Sequence, residues 1–202
     1  MKSKRIIETT YDYRDEKKTL LYQVVRFKPK DFRQRRPDPD KPGEFIWNLN
    51  GVRRVLYKLP RLLKFPNSTI HLVEGEKAAD RFNKFGFLST TCAGGAGKWA
   101  DEYNIFFKDR NVVAYPDNDD VGRNHCRDVA TQNICNAKSF KIVTLPGLKE
   151  TQGADDWLNE MEKIDTGEGR NLNKKEILEC LKDYIFAEEE WEKKFGTFDK
   201  IV

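Results

Sequence analysis

The most informative stretch of this chain is Thr69-Ile70-His71-Leu72-Val73-Glu74-Gly75-Glu76-Lys77, an apolar run that ends abruptly in charge. The apolar residues predict a short, buried parallel strand, and the helical spacing from Glu76 to Phe85 predicts the helix that crosses back over it. In such a unit, ligands bind just beyond the carboxyl end of the strand. Glu74 is therefore a candidate site residue.

The same pattern recurs in Asn111-Val112-Val113-Ala114-Tyr115-Pro116-Asp117-Asn118-Asp119-Asp120-Val121-Gly122. A strand over 111–115 ends in an Asp-x-Asp motif, and helical spacing follows over 121–135. Because the carboxyl ends of parallel strands lie at one edge of a sheet, we expect Glu74, Asp117 and Asp119 to form one acidic site.

Strands and helices alternate throughout residues 67–164. Further strands are predicted over 86–92 and 140–145, and further helices over 98–107 and 154–161. Strands separated by helices of this length predict an α/β fold, in which helices flank a parallel sheet with right-handed crossovers.

Residues 1–66 read as a separate, β-rich and basic subdomain. A hairpin is predicted from 6–13 and 19–27, and another short strand over 45–49, whereas residues 28–37 are basic and broken by prolines. Two interpretations of the basic residues stay open: a solvated face, or a phosphate-binding patch with Phe32, Trp47 or Tyr57 as base-stacking surfaces. The patch would use Arg33, Arg35, Arg36, Arg53 and Arg54.

Residues 165–202 are predicted to be a linker and a C-terminal helix. Asn173 and Glu176 resemble a capping box. The apolar stripe that follows should dock on the domain or on a missing neighbour, and it consists of Ile177, Leu178, Leu181, Tyr184 and Ile185.

The composition excludes several classes of protein. The net charge is only +4, from 37 basic and 33 acidic residues, so local patches rather than a global field would attract nucleic acid. No apolar run is long enough for a membrane span, and no signal peptide is evident, so we expect a cytoplasmic protein. The four cysteines form no C-x-x-C pair, which favours buried free thiols over a zinc site.

The acidic residues at the strand ends suggest a metal. Two carboxylates about 4 Å apart repel by roughly 4 kcal/mol at an effective dielectric near 20, so several together need protons or a cation. Hard oxygen ligands on short loops suit Mg²⁺ or Mn²⁺. The alternative is that these acids cap helices, and for Asp120 and Asp155 that is the preferred interpretation.

Three cations lie close enough in sequence to these loops to bind phosphate: Lys77, Lys98 and Arg123. For Lys77 and Arg123 the alternative, a side chain that is only solvated, stays open. The loop over 94–98 is no P-loop, because its spacing is wrong and Trp99 stands where Ser or Thr would bind magnesium. Its open amides could hold a phosphate, or it could be a plain turn. His71 is interpreted as a packed histidine.

Four motifs occur in a fixed order: Glu74-Gly75-Glu76-Lys77, a glycine-rich loop ending in Lys98-Trp99, Pro116-Asp117-Asn118-Asp119 with Gly122, and Asp156-Trp157-Leu158. They resemble the Toprim domain shared by bacterial-type primases, topoisomerases and some nucleases, and are typical of primase-like proteins of phages and mobile elements. Residues 22–27, 32–36 and 47–54 are similar to the region preceding Toprim in those proteins. The resemblance covers most of residues 11–160.

The resemblance implies that Glu74 acts near the attacking or leaving oxygen and that Asp117 and Asp119 hold the metal, with Asp156 as a further candidate ligand. It implies nucleotidyl transfer onto a primer on a single-stranded DNA template, with a helicase or another replication protein as a partner. Ala78 departs from the pattern, because such families often carry aspartate there. The compressed Gly153-Ala154-Asp155-Asp156 leaves open which aspartate is the third ligand.

Three hypotheses follow. The leading one is the Toprim catalytic core of a primase-like replication protein, either excised from a longer chain or standing alone. The second is a Toprim nuclease, since the same acidic cluster occurs without zinc or helicase modules. The third is a module that binds nucleic acid and a partner without catalysis.

Overall fold

The computed structural model describes residues 5–165, 167 and 170–183 of the 202-residue chain. An antiparallel sheet comes first, with the order β1-β2-β3-β4. Its strands are β1 (Ile6–Arg14), β2 (Leu20–Lys28), β3 (Asp31–Pro37) and β4 (Phe45–Ile46). The hairpin of β1 and β2 is confirmed, and the strand predicted over 45–49 is only two residues long.

Strand β3 was not predicted, because its prolines suggested an interruption. Pro29 lies in the turn before β3 and Pro37 is its last residue, so the prolines bracket the strand. Pairing runs without a break from Gln23↔Arg35 to Phe27↔Asp31. Proline is tolerated at such strand ends, where its missing N–H costs no ladder bond.

The second sheet is parallel throughout, with the order β6-β5-β7-β8. Its strands are β5 (Ile70–Val73), β6 (Leu88–Thr90), β7 (Asn111–Tyr115) and β8 (Ser139–Ile142). The predicted α/β fold is therefore confirmed. Strands β6 and β8 are shorter than the predicted 86–92 and 140–145.

The helices lie around this sheet, and their bounds are α1 (Leu59–Lys64), α2 (Glu76–Lys84), α3 (Asp120–Asn133) and α4 (Ala154–Met161). The helix predicted over 98–107 was wrong in type and start, since a 3₁₀ helix occupies Asp101–Phe107. Ala100 before it has an extended backbone, with φ −120° and ψ 141°, so no helix can begin at residue 98. No helix within the described part of the chain is long and apolar enough to cross a bilayer.

Residues 174–183 form a further helix. Ile177 and Leu181 of the predicted stripe are buried in the main core, so this helix docks on the domain itself. Tyr184 and Ile185, the other end of the stripe, lie outside the described residues.

The two faces of the parallel sheet contribute to different cores. Leu72 and Ala114 pack on one side with Phe107, whereas Val73 and Tyr115 point to the other side. The second core also takes in residues of the antiparallel sheet and of α4: Tyr11, Tyr13, Tyr22, Val24, Trp157 and Leu158. This shared core brings the antiparallel sheet against the carboxyl edge of the parallel sheet.

The cysteines are free thiols, as predicted. Cys92 and Cys126 are buried and Cys180 is half-buried, but Cys135 is exposed, contrary to the expectation of burial.

Candidate active site

Glu74 follows directly on β5, and the pairing of Val73 with Tyr115 brings it beside the end of β7. Its Oε1 accepts a hydrogen bond from the backbone N–H of Asp117 at 3.1 Å. Burial raises the pKa of Glu74 above its ordinary value, and the charge of Asp119 adds to the effect. Strand register thus joins two of the predicted site residues, which are 43 positions apart in the chain.

Asp117 and Asp119 occupy the loop between β7 and α3. Asp119 caps α3, with its Oδ1 accepting from the Gly122 N–H at 2.7 Å. Burial raises the pKa of Asp117, the charges of Glu74, Asp119 and Asp156 add to the effect, and together they bring this pKa to about 7. The predicted acidic residues therefore lie close enough to repel one another strongly.

Two glycines allow this close approach. A Cβ on Gly122 would collide with Oε1 of Glu74 and lie 2.8 Å from the carbonyl oxygen of Asp117. A Cβ on Gly153 would collide with the carboxylate of Asp117, 2.7 Å from its Cγ. Gly75 has a different role, because its φ of +79° needs glycine although no atom crowds it.

Helix α4 contributes two adjacent aspartates with different surroundings. Asp156 accepts from the Gly153 N–H at 3.1 Å through Oδ2, and its charge acts on Asp117. Asp155 instead bonds Lys77 at 2.6 Å and Arg81 at 2.9 Å. Its partial burial would raise its pKa, but these two cations outweigh the burial and lower it. Asp156 is thus the one that belongs to the repelling group.

The donors of this group fit Mg²⁺ or Mn²⁺ in chemical type, since all are carboxylate oxygens whose mutual repulsion a cation would relieve. Within the described ranges, however, no three or more histidine, cysteine, aspartate or glutamate side chains are arranged to hold an ion. Glu74, Asp119 and Asp156 each use one oxygen to accept a backbone N–H. The second oxygen of each carboxylate could bind an ion, but the three side chains would have to move closer to one another to do so.

A cavity of about 900 Å³ opens beside these acids. One side, here called the acidic wall, comprises Glu74, Glu76, Asp117 and Asp155. A second part of the lining, here called the basic wall, comes from the antiparallel sheet and the segment after it, and it comprises Arg26, Lys30, Phe32, Arg33, Trp47 and Arg54. Phe32 and Trp47 are about half exposed, so their rings are available for stacking.

Of the predicted phosphate-binding residues, Lys77, Arg33 and Arg54 line the cavity. The others do not: Lys98, Arg123, Arg35, Arg36 and Arg53. Arg53 makes a two-pronged ion pair with Glu16, and Arg35 lies 4.0 Å from the ring centre of Phe45. Arg123 bonds Asn118 and Asp120.

Tyr57 was wrong as a stacking surface, because it is only 2% exposed and its hydroxyl donates to Asp80. Arg26 and Lys30 were missed. The alternation of Val24 and Arg26 along β2 was the available signal for Arg26, since side chains two apart share a strand face. Lys30 lies in the turn between β2 and β3, and no feature of the neighbouring sequence predicts that it lines the cavity.

The two histidines lie in structural positions. His71 is buried with its Nδ1 2.9 Å from the Tyr115 hydroxyl, and burial lowers its pKa to about 3. This agrees with the prediction of a packed histidine. Nδ1 of His125 accepts from the Gly97 N–H at 3.2 Å, so one amide of the glycine-rich loop is already engaged. Gly94 and Gly95 of that loop line the cavity.

No protein-family model and no curated protein matches this sequence. Solved structures do resemble it. A primase from Aquifex aeolicus, with zinc-binding and RNA polymerase domains, aligns over 92% of this chain and 44% of its own, with a TM-score of 0.60 and 17% identity. A DNA primase domain from Pseudomonas aeruginosa aligns over 96% and 56%, with a TM-score of 0.58 and 16% identity.

A third similar structure is that of bacteriophage T7 lagging-strand DNA polymerase with primase domains bound to an RNA/DNA hybrid. Its matching chain aligns over 84% of this protein and 74% of its own length, with a TM-score of 0.53 and 18% identity. The chain therefore has a primase-like fold, and it spans about half the length of the two bacterial chains. At these identities the likeness concerns the fold alone.

Proposed function

We propose that this protein is a primase-like replication protein that joins nucleotides on a single-stranded DNA template with Mg²⁺ or Mn²⁺. Residues 67–164 would be a Toprim domain, residues 1–66 its template-binding subdomain, and residues 165–202 a linker and C-terminal helix. One observation carries the proposal: a single cavity has repelling carboxylates on one wall and cations with exposed aromatic rings on the other. The primase-like fold supports it.

The basic wall would bind the template. Arg26, Lys30 and Arg33 offer positive charge to phosphates, and Phe32 and Trp47 offer ring faces to unpaired bases. Such stacking is tolerant of sequence because every base has a π-face.

The reacting groups would lie at the Glu74 and Asp117 end of the acidic wall. These two residues, with Asp119 and Asp156 next to them but outside the cavity lining, would bind Mg²⁺ or Mn²⁺, which would supply charge stabilisation for the attacking and leaving oxygens. Glu74, half-buried and with a raised pKa, is suited to accept a proton from an attacking hydroxyl. Gly122 and Gly153 keep the carboxylates packed against one another.

The test is primer synthesis with ribonucleotides on single-stranded DNA, with and without EDTA. We expect a metal-dependent product that Asp117→Ala abolishes. No product from a folded protein with measurable Mn²⁺ binding would contradict the proposal. Metal-dependent cleavage of labelled DNA or RNA, without synthesis, would instead identify a nuclease.

A second candidate function is nucleic-acid binding without catalysis. The side chains that the structure describes include no ready-made metal group, and Lys77 neutralises Asp155 at the acidic wall. Single-strand binding that survives both Glu74→Gln and EDTA, at a stated ionic strength and with no synthesis or cleavage, would favour this function.

A further inference from the structure

Asp155 has a separate cation for each of its carboxylate oxygens. Oδ2 accepts from Nζ of Lys77 at 2.6 Å, and Oδ1 accepts from a guanidinium nitrogen of Arg81 at 2.9 Å. Both cations come from α2, one turn apart, whereas Asp155 lies in the first turn of α4. Arg81 also pairs with Glu162 at 2.7 Å, so the two cations balance two carboxylates, and they need not have the same role.

The two cations differ in how firmly they are held. Arg81 is 16% exposed and also bonds the Asp155 carbonyl, Asn159 and Glu162, so its guanidinium fastens α4 onto α2 along the length of α4. Lys77 is 56% exposed and lines the cavity, and Asp155 is its only ion-pair partner among the described residues. The lysine can therefore leave without disturbing the helix pair, and the arginine cannot.

We propose that Lys77 is a phosphate-binding residue that rests on Asp155 and moves to a phosphate group when one enters the cavity. Arg81 is the positioning residue that keeps Asp155 neutralised and α4 in place after Lys77 has left. The ligand class is an oligophosphate, as carried by a nucleoside triphosphate. This rests on the proposed function only in that the cavity receives phosphates, and it requires no metal.

If Lys77 moves from Asp155 to a phosphate group, then removing the charge of Asp155 should tighten the binding of an oligophosphate. Inorganic tripolyphosphate is titrated calorimetrically, in EDTA and at one fixed ionic strength, into wild type, Asp155→Asn, Lys77→Gln and the double variant. An exposed ion pair holds its partners weakly, so freeing Lys77 should tighten binding by up to about fivefold. Lys77→Gln should weaken binding.

The double variant separates the exchange from a plain field effect. Loss of the Asp155 charge reduces the repulsion of phosphate whether or not Lys77 is present. In the wild-type background Asp155→Asn also releases Lys77, so it should tighten binding clearly more there than in the Lys77→Gln background. The proposal would be overturned if Asp155→Asn raised the affinity for tripolyphosphate equally in both backgrounds, or if it lowered that affinity. It would also be overturned if none of the four proteins bound tripolyphosphate.

Glu160→Gln is the matched control, because it frees Lys163 from a 2.8 Å ion pair on the same helix but away from the cavity. Its affinity should equal that of wild type, and a gain as large as that of Asp155→Asn would overturn the proposal. Circular dichroism checks folding, and Asp155→Ser replaces Asp155→Asn should the latter unfold. Since no metal or nucleic acid is present, these results are independent of whether primer synthesis occurs.

Discussion

The acidic wall and the basic wall line one cavity, but their central residues are held in place by different groups. Glu74 accepts the backbone N–H of Asp117, and Gly122 and Gly153 leave just the space that these two carboxylates fill. The rest of the acidic wall is bound by side chains, Glu76 by Tyr13 and Asp155 by Lys77 and Arg81. Cations of the basic wall are held by other side chains: Arg26 by Glu8 at 2.5 Å and Arg54 by Gln34 at 3.1 Å. Backbone groups cannot adjust without moving a strand end, whereas flexible side chains can.

This difference predicts how each wall responds to change. A small alteration near Glu74 and Asp117 should have a large effect, because Glu74 is fixed to the backbone that positions Asp117 and the glycines beside them leave no spare room. Alterations of the basic wall should have small and roughly additive effects on DNA binding, because separate contacts to flexible single-stranded DNA are nearly independent.

The largest expected effect is that of Asp117→Asn. Under the proposed function Asp117 would bind the metal, and losing that ligand should remove on the order of 4 kcal/mol of transition-state stabilisation, which is about 10³-fold in rate. Metal-dependent primer synthesis measures the effect. A variant that retains more than a tenth of the wild-type rate would show that Asp117 is outside the reaction.

The same substitution should stabilise the metal-free protein. Because burial and neighbouring carboxylates raise the pKa of Asp117 to about 7, its ionised form weakens the folded state, fully above pH 7 and not at all below the ordinary value. With a discount for its partial exposure, the gain at pH 8 is on the order of 2 kcal/mol. Urea unfolding in EDTA at pH 8 and pH 4 measures this, and a gain that does not grow with pH contradicts it.

Gly153→Ala should have the next largest effect, at about 10²-fold in rate, because displacing a reacting group by about 1 Å costs that much. Its φ of −130° suits alanine, so the collision with the Asp117 carboxylate is the only local penalty. Gly86→Ala is the control: it strains a φ of +99° after α2 but meets no atom within 4 Å. The control should lose stability and keep its rate per folded molecule; equal rate losses in both would point to general destabilisation.

The pairing of Glu74 with Asp117 at the acidic wall could be predicted from sequence because it follows from topology, whereas Glu76 was missed and Asp155 was interpreted as a helix cap. Once β5 and β7 are recognised as adjacent parallel strands, Glu74 and Asp117 must lie at the same edge. What sequence does not encode locally is the packing between loops. Gly153 and Asp117 are 36 positions apart in the chain, and only the docking of α4 shows why a side chain at Gly153 would collide with Asp117.

The basic wall was predicted less well for a related reason. Arg33 and Arg35 are two positions apart on β3 and therefore share a face of that strand. Only Arg33 lines the cavity, because Arg35 is held over the rings of Phe45 and Trp47. Composition indicates the charge of this wall, but contacts with the segment after β3 decide which cations the wall presents, and sequence does not show those contacts.

Trp47→Ala should weaken single-stranded DNA binding by about tenfold, since one stacked base contributes about 1–3 kcal/mol. Fluorescence anisotropy with a labelled oligonucleotide measures the change. Phe65→Ala is the matched control, because Phe65 is a partly exposed aromatic residue outside the cavity. Should Phe65→Ala weaken binding as much as Trp47→Ala, the strand would follow another surface.

Lys30→Gln should have the smallest effect and the most specific signature. Each phosphate contact to a single strand contributes about −0.7 to the slope of log K against log salt concentration, so the slope should become shallower by about that amount. Lys41→Gln is the control, because Lys41 pairs with Glu44 outside the cavity and should leave the slope unchanged. The charge of Lys30 also lowers the pKa of Asp117, so the two walls are electrostatically coupled. If Lys30→Gln leaves the slope unaltered, no phosphate lies between the walls at this point, and the template must be bound closer to Arg33.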